Sequence, residues 1–320
     1  MTRSTRLVLI AVLVVVGAVF PQFLPRNFVD LLVFAGIYTI AGLGVGLLMG
    51  QCGIVNIAQA TFYGIGAYSS AYFTVQLGYP ILSGFVVGVV ISMLVALVVG
   101  WPILRLRGYF LGLATLALSV IGSTLFYEWD WITGGALGIG GLPSIQIFGY
   151  ALDTPIRYYY FVWAIALLCI ALGHNLVQSR TGMMLRAMRD SPDAAASLAI
   201  DLQWLRTRVF MLCAFLGSIA GSLFAHHVNF VSIDSFVIQK SITFLLIPMI
   251  GGVTSISGVV VGSLFVTFVP EFLRGFGDFH QILFGLMLIL IIIGLPGGIV
   301  DAVARLWKLR RKPVLIPNES

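Results

Sequence analysis

The chain has 320 residues, of which 59% are hydrophobic and only 9% charged, with a formal net charge of +6. Soluble domains carry about 25% charged residues, so this chain lacks the charge to cover a water-facing surface. Its apolar residues run on without alternating, which excludes an outer-membrane barrel, and the placement of its basic residues, given below, fits membrane topology and no nucleic-acid partner.

Apolar runs bounded by charge, Pro or Gly predict ten spans. In chain order they are Leu7–Leu24, Phe28–Met49, Ala58–Leu77, Ile81–Leu104, Gly108–Tyr127, Tyr158–Gln178, Val209–Phe230, Phe236–Gly252, Ile256–Phe272 and Ile282–Val303. One crossing takes about 20 apolar residues, and the interval from Leu31 to Leu104, which lacks any Asp, Glu, Lys, Arg or His, has room for about three. Backbone polar groups in hydrocarbon must be satisfied within their own segment, so the spans are helices. The basic start MTRSTR and the apolar run after it resemble a secretory signal. Phe20-Pro21-Gln22-Phe23 is a poor cleavage site, however, and the run is expected to stay as the first span.

With the N-terminus inside, only Arg26, Arg157, Lys240 and Arg274 of the 18 Lys and Arg residues fall on the outer side, as the positive-inside rule requires. The expectation is an all-α polytopic membrane protein with about ten transmembrane helices, some Gly/Pro-interrupted, and both termini cytoplasmic. It forms one transmembrane domain over residues 1–312, followed by a short C-terminal tail over 313–320. The five basic residues from Arg305 to Lys312 form an anchor at an anionic leaflet. Residues 128–157, glycine-rich and aromatic, form a structured outer loop. Glu271 to His280 and the stretch His226-His227-Val228-Asn229 also lie at the outer surface.

Glycine punctuates two regions. Gly42, Gly44, Gly46, Gly50 and Gly53 surround Gln51 and Asn56, and Gly251, Gly252, Gly258 and Gly262 stand near Pro248. Small-xxx-small pairs such as Gly84/Gly88, Gly217/Gly221 and Gly258/Gly262 let helices approach closely in lipid. The same clusters also fit helices interrupted beside a transport path. Gln51, Asn56, Gln59, Thr61 and Thr115 are polar, uncharged and intramembrane. They are candidates either for lining such a path or for hydrogen bonding between helices. Cys52, Cys169 and Cys213 are scattered in apolar stretches and are expected to be small core residues rather than disulfide or metal ligands.

Several chemistries are missing from the sequence. Ionisable relays within the spans, expected of gradient-driven carriers, are absent, as are local protease motifs. A G-x-x-x-x-G-K-[ST] loop is also absent, since none of Lys240, Lys308 and Lys312 follows Gly. This polypeptide has no Walker site of its own, and if ATP powers it, another subunit hydrolyses the ATP.

The long charged interval Ser179 to Arg208 interrupts the apolar chain. Gly182 to Arg189 predicts a short amphipathic helix with Met184 and Met188 on one face and Arg186 and Arg189 on another. Ser191-Pro192-Asp193 then starts a second helix running to about Ile200, with Ser191 as N-cap and Asp193 complementing the dipole. A helix that short needs a partner surface, and its uncharged face is made by Ala194, Ala195 and Leu198.

These residues resemble the cytoplasmic signature of permease subunits of bacterial ABC importers for branched-chain amino acids, in the LivM-type half. The resembling run is Gly182 through Asp190, then Asp193-Ala194-Ala195-Ala196-Ser197-Leu198-Ala199-Ile200. Ala199 stands where the family has Gly, and Asp193 where it often has Glu. Gly50-Gln51-Cys52-Gly53 through Gly66-Ala67-Tyr68 resembles a second family segment, with Asn56 and Ala58 in place of the usual Ser and Gly. Arg107-Gly108-Tyr109-Phe110 to Thr115-Leu116-Ala117, Thr133-Gly134-Gly135 with Gly138, and Gly251 through Gly258 with Gly262 resemble three more. The resemblance implies a bacterial inner-membrane assembly. Its partners would be a homologous second permease, two cytoplasmic ABC ATPases that use ATP and Mg, and an extracytoplasmic binding protein. It implies that Met184, Arg186, Met188, Arg189, Asp193, Ala194, Ala195, Leu198 and Ala199 form the ATPase-coupling loop, within 179–208. This chain would carry no cofactor, no metal and no catalytic residue. A gradient-driven carrier or channel for a small neutral solute is the alternative.

Overall fold

The computed structural model describes residue 17 and residues 20–106, 108–147, 150–197, 201–295 and 297–309. Its α-helices of six residues or more, in chain order, are α1 (Arg26–Cys52), α2 (Gln59–Ala71), α3 (Ile81–Val98), α4 (Tyr109–Glu128), α5 (Pro155–Gln178) and α6 (Arg180–Asp190). These are followed by α7 (Pro192–Ser197), α8 (Leu202–Val228), α9 (Ile238–Gly251), α10 (Ile256–Leu273), α11 (His280–Gly294) and α12 (Gly298–Leu309). Four two-residue strands lie in the connections: β1 (Ile139–Gly140), β2 (Gln146–Ile147), β3 (Tyr150–Ala151) and β4 (Phe230–Val231). β1 pairs antiparallel with β4, and β2 with β3.

Among the described residues, seven helical segments are long and apolar enough to cross a membrane. They are α1, α3 with the turn that follows it, α4, α5, α8, α9 with the 3-10 turn before it, and α10. Three predicted spans look different. Leu7–Leu24 lies for most of its length outside the described residues. Ala58–Leu77 is helix α2 continued by a π-helical turn, Tyr72–Gln76. Ile282–Val303 is two helices, α11 and α12, because Gly294-Leu295-Pro296-Gly297-Gly298 cannot continue one. Gly298 has φ +80, and a Cβ there would overlap the backbone of Gly252, so the chain turns against the α9–α10 connection.

Burial separates centre from shell. Over their most apolar stretches, 78% of the residues of α1 and α8 are buried, against 22% for α3 and α5. α2 packs between α8 and α3 and is buried on almost every face. Its contact with α8 is backbone to backbone: a Cβ on Gly221 would overlap the Tyr63 carbonyl, and one on Gly66 the Ser218 carbonyl. The Gly217/Gly221 pair therefore serves the close approach that glycine permits in lipid.

α3 shows how a helix in lipid inverts the soluble pattern. Every fourth residue from Gly84, namely Gly84, Gly88, Ser92 and Ala96, is buried, and Gly100 of the following turn joins them. The row two residues out of phase, Leu82, Val86, Val90, Leu94 and Val98, is exposed. Small side chains face protein and large apolar ones face outward, because lipid solvates a leucine as well as a protein core does and only close packing distinguishes the two faces.

The ends of the bundle are also sorted. At one end α6 lies against the C-terminal ends of α1 and α5, and Gln203 at the start of α8 donates to the Trp101 carbonyl (2.6 Å). At the other end the β1–β4 ladder joins residues 128–157 to the turn after α8, and Tyr158 near the start of α5 donates to the Leu223 carbonyl (2.6 Å). At that end Val228 and Asn229 are exposed, but His226 is not part of a surface. Its ring lies between Ser70 Oγ (2.8 Å) and the Pro143 carbonyl (3.0 Å), stacked on Phe85. Such polar partners make a buried imidazole tolerable.

Candidate functional site

α6 begins with Ser179 as N-cap, its hydroxyl accepting from Gly182 N–H (3.3 Å). Gly182, Leu185 and Met188 are buried on one face. Met183 (56% exposed) and Met184 (39%) point away, while Met188 is 1% exposed. The expected Met184/Met188 face is therefore divided: the buried stripe runs at three-residue intervals, and Met184 keeps company with Met183 on the outer side.

The two arginines have partners that spacing does not reveal. Arg186 Nη1 donates to the Val177 carbonyl in the last turn of α5 (2.9 Å) and to Gln51 Oε1 at the end of α1 (3.2 Å). Arg189 donates from Nη1 to the Gly50 carbonyl and also pairs with Asp190 (2.9 Å). Both guanidinium groups thus sit on helix C-termini, where unsatisfied carbonyls and the helix dipole favour cations. α1 stops at Gly53, whose φ is +69 and whose α-carbon packs under the Arg189 side chain. On the opposite flank a Cβ at Gly50 would overlap the Val253 carbonyl of the α9–α10 turn. The two glycine-rich regions, far apart in the sequence, meet here. The end of α1 is gripped between α6 and that turn.

Past Gly53 the chain leaves helical geometry until α2 begins at Gln59, and the predicted polar residues gather around this break. Asn56 Oδ1 accepts from Ala58 N–H (2.9 Å), and its Nδ2 faces Cys213 Sγ (3.4 Å). Cys213 donates to Gln59 Oε1 (2.9 Å), and Gln59 Nε2 reaches the carbonyls of Ala41 (3.1 Å) and Cys213 (3.3 Å). Thr115 Oγ1 accepts from Ile57 N–H (3.2 Å), and Thr61 donates to the Leu118 carbonyl (3.3 Å). All five candidates, Gln51 included, are buried and bonded to protein groups that join α1, α2, α4, α6 and α8. Asn56, Gln59, Thr61 and Thr115 form one seam, and Gln51 belongs with α6.

In α7, Ala195 is packed inside the chain, whereas Asp193 and Ala194 are exposed. The uncharged face expected around Ala194, Ala195 and Leu198 is therefore not wholly outward. Its inner member fills the contact between α7 and the rest of the chain. Leu198 and Ala199 lie outside the described residues. Ser191 starts α7 through its carbonyl, which accepts from Ala195 N–H (3.0 Å).

Residues 27–292 match the family model described as branched-chain amino acid transport system / permease component. The chain belongs to that family. Among its relatives, the high-affinity branched-chain amino acid transport system permease protein LivM of Escherichia coli K12 is 27% identical, over 97% of this chain and 78% of LivM. LivM of Salmonella typhimurium is 28% identical over the same shares. LivH of E. coli K12 is 23% identical over 82% of this chain and 91% of LivH. No solved structure gives a significant match. The chain is thus a multi-pass ABC transporter permease of amino-acid transport. Three residues of this candidate site have roles that sequence reasoning does not reveal. Gly50 and Val177 act through carbonyls, which no side-chain pattern reports, and Cys213 looks like any small core residue until Asn56 and Gln59 are brought to its sulfur.

Proposed function

We propose that this chain is the membrane-spanning subunit of an ATP-driven importer that moves branched-chain or related small neutral amino acids into the cytoplasm by alternating access. A homologous second permease completes the pathway, two cytoplasmic ATPase subunits burn ATP with Mg, and an extracytoplasmic binding protein delivers substrate. The carrying observation is that α6 is fastened by Arg186 and Arg189 to the ends of α1 and α5 while presenting Met183 and Met184 outward. A helix so placed passes a push from a seated partner to the central helix. The push then reaches the Gly53–Ala58 break, where Asn56 and Gln59 tie α1 and α2 to α8. Alternation between two states requires a differential contact in each, and the break is where the backbone can take up the change.

In this reading the α6 end faces the cytoplasm, both termini lie there, and about ten helices cross the bacterial inner membrane. The sorted ends support it: Arg186, Arg189 and Gln203 gather at one end, and Arg26, Asp30 and Asp153 at the other. The polar seam joins helices in the arrangement described and is proposed to border the substrate path as α1 and α2 move. The test is purification of the tagged full-length chain from its own cells under mild detergent. Co-purification of a second permease and two copies of an ATPase is expected, and release of the ATPase on changing Met183 and Met184 to Glu. A chain that purifies without any ATPase overturns the reading and favours the gradient-driven alternative.

A further inference from the structure

The end of the bundle opposite α6 holds a cavity of about 370 Å³, within the ~300–1,000 Å³ range of small-molecule sites. It opens between the first turns of α1, the start of α5 and the last turn of α8. Arg26 and Asp30 border it from α1, Asp153 from the residues just before α5, and His227 from α8. Phe34, Leu152 and Tyr158 supply apolar wall.

Charge in this cavity is divided and largely unspent. Asp30 lies 3.8 Å from His227 Nε2, whose ring is stacked on Tyr158 and set edge-on to Phe34. Arg26 and Asp153 have no ion-pair partner among the described residues. An anion alone would leave two carboxylates facing it, and a cation alone would leave the guanidinium. A solute carrying both charges on neighbouring atoms satisfies the set, and an aliphatic tail satisfies the wall.

We propose that this cavity is the permease's own receiving site for a small zwitterion with an aliphatic side chain. Its ammonium would lie toward Asp30 and Asp153, its carboxylate toward Arg26, and its side chain against Phe34, Leu152 and Tyr158. The proposal rests on the import reading above and adds where on this chain a delivered amino acid is first held. The charged groups are partly exposed, so each contributes little, and the affinity is on the order of 1 mM, weak enough for the solute to be passed on.

The test is equilibrium binding of radiolabelled leucine to the full-length chain in its purified complex, with neither binding protein nor ATP. Saturable binding in the millimolar range is expected. Unlabelled leucine should compete, while leucinamide, which lacks the carboxylate, and 4-methylpentanoate, which lacks the ammonium, should not. Arg26→Gln and Asp30→Asn should each weaken binding about two- to fivefold, and Asp30→Glu should restore most of it in a complex that elutes like the wild type. Absence of saturable binding, wild-type binding in both neutral variants, or competition by either lopsided analogue overturns the site. Binding-protein-dependent uptake by the wild-type complex separates the two readings. Uptake without binding at the cavity overturns the receiving site alone, and no uptake of any neutral amino acid overturns the import reading beneath it.

Discussion

Arg189→Ala is expected to cut coupled uptake about tenfold or more while the complex still hydrolyses ATP and still purifies intact. The guanidinium holds the Gly50 carbonyl at the end of α1 and covers Gly53. A hydrogen bond to a charged group contributes about 1.5–3 kcal/mol. The side chain is 31% exposed, so solvent screening puts the loss at the low end of that range. Such a loss does not unfold a bundle held by buried helices, yet it frees α6 from the helix it is proposed to move. Arg189→Lys should recover part of the coupling, because a point charge can reach one carbonyl but cannot hold Gly50 and Asp190 in one planar fork. The readout is the ratio of substrate taken up to ATP hydrolysed in proteoliposomes. A wild-type ratio in Arg189→Ala would show that the contact transmits nothing.

Gly221→Val is expected to deplete folded protein from the membrane several-fold. Any Cβ at this position overlaps the Tyr63 carbonyl, and the obstruction is backbone, so no side chain can swing aside. α2 and α8 must separate, and with them Gly66 from Ser218 and the Asn56–Cys213–Gln59 cluster nearby. Overpacking of this kind costs about 1–3 kcal/mol and at times more. Gly112→Ala is the matched control: nothing lies within 4 Å of a Cβ there, and Ala is favoured over Gly inside a helix by about 1 kcal/mol. Thermal stability in detergent reports both. Equal melting of Gly221→Val and wild type would contradict the close contact described.

The long helices were legible because lipid imposes a coarse rule, a run of apolar residues of sufficient length, that the chain obeys from Leu31 onward. Glycine pairs such as Gly84/Gly88 and Gly217/Gly221 were legible as sites of close packing for the same reason. Their partners were not, since nothing local says that Gly50 meets Val253 or that Gly221 meets Tyr63. Residues of the seam are legible as polar, uncharged positions in an otherwise apolar interval, but polarity alone leaves interhelical bonding and path lining equally open. The arginines of α6 read as topology signals and, through the resemblance, as part of the coupling loop, but their targets, carbonyls and a glutamine 135 residues distant (Arg186 to Gln51), have no local signature. Ala195 reads in sequence as part of an uncharged face that needs a partner surface, and its burial within this chain comes from a contact that sequence does not display. The cavity formed by Arg26, Asp153 and His227 joins three distant segments and had no local signature.

In the proposed mechanism, ATP hydrolysed by a partner moves this chain through α6. Uptake of a labelled branched-chain amino acid into proteoliposomes, with ATP and Mg inside the compartment that α6 faces and ionophores collapsing every gradient, tests it most directly. Uptake is expected to persist under ionophores and to stop when the ATP is removed. Uptake that continues without ATP and vanishes on collapse of a proton or ion gradient would contradict it.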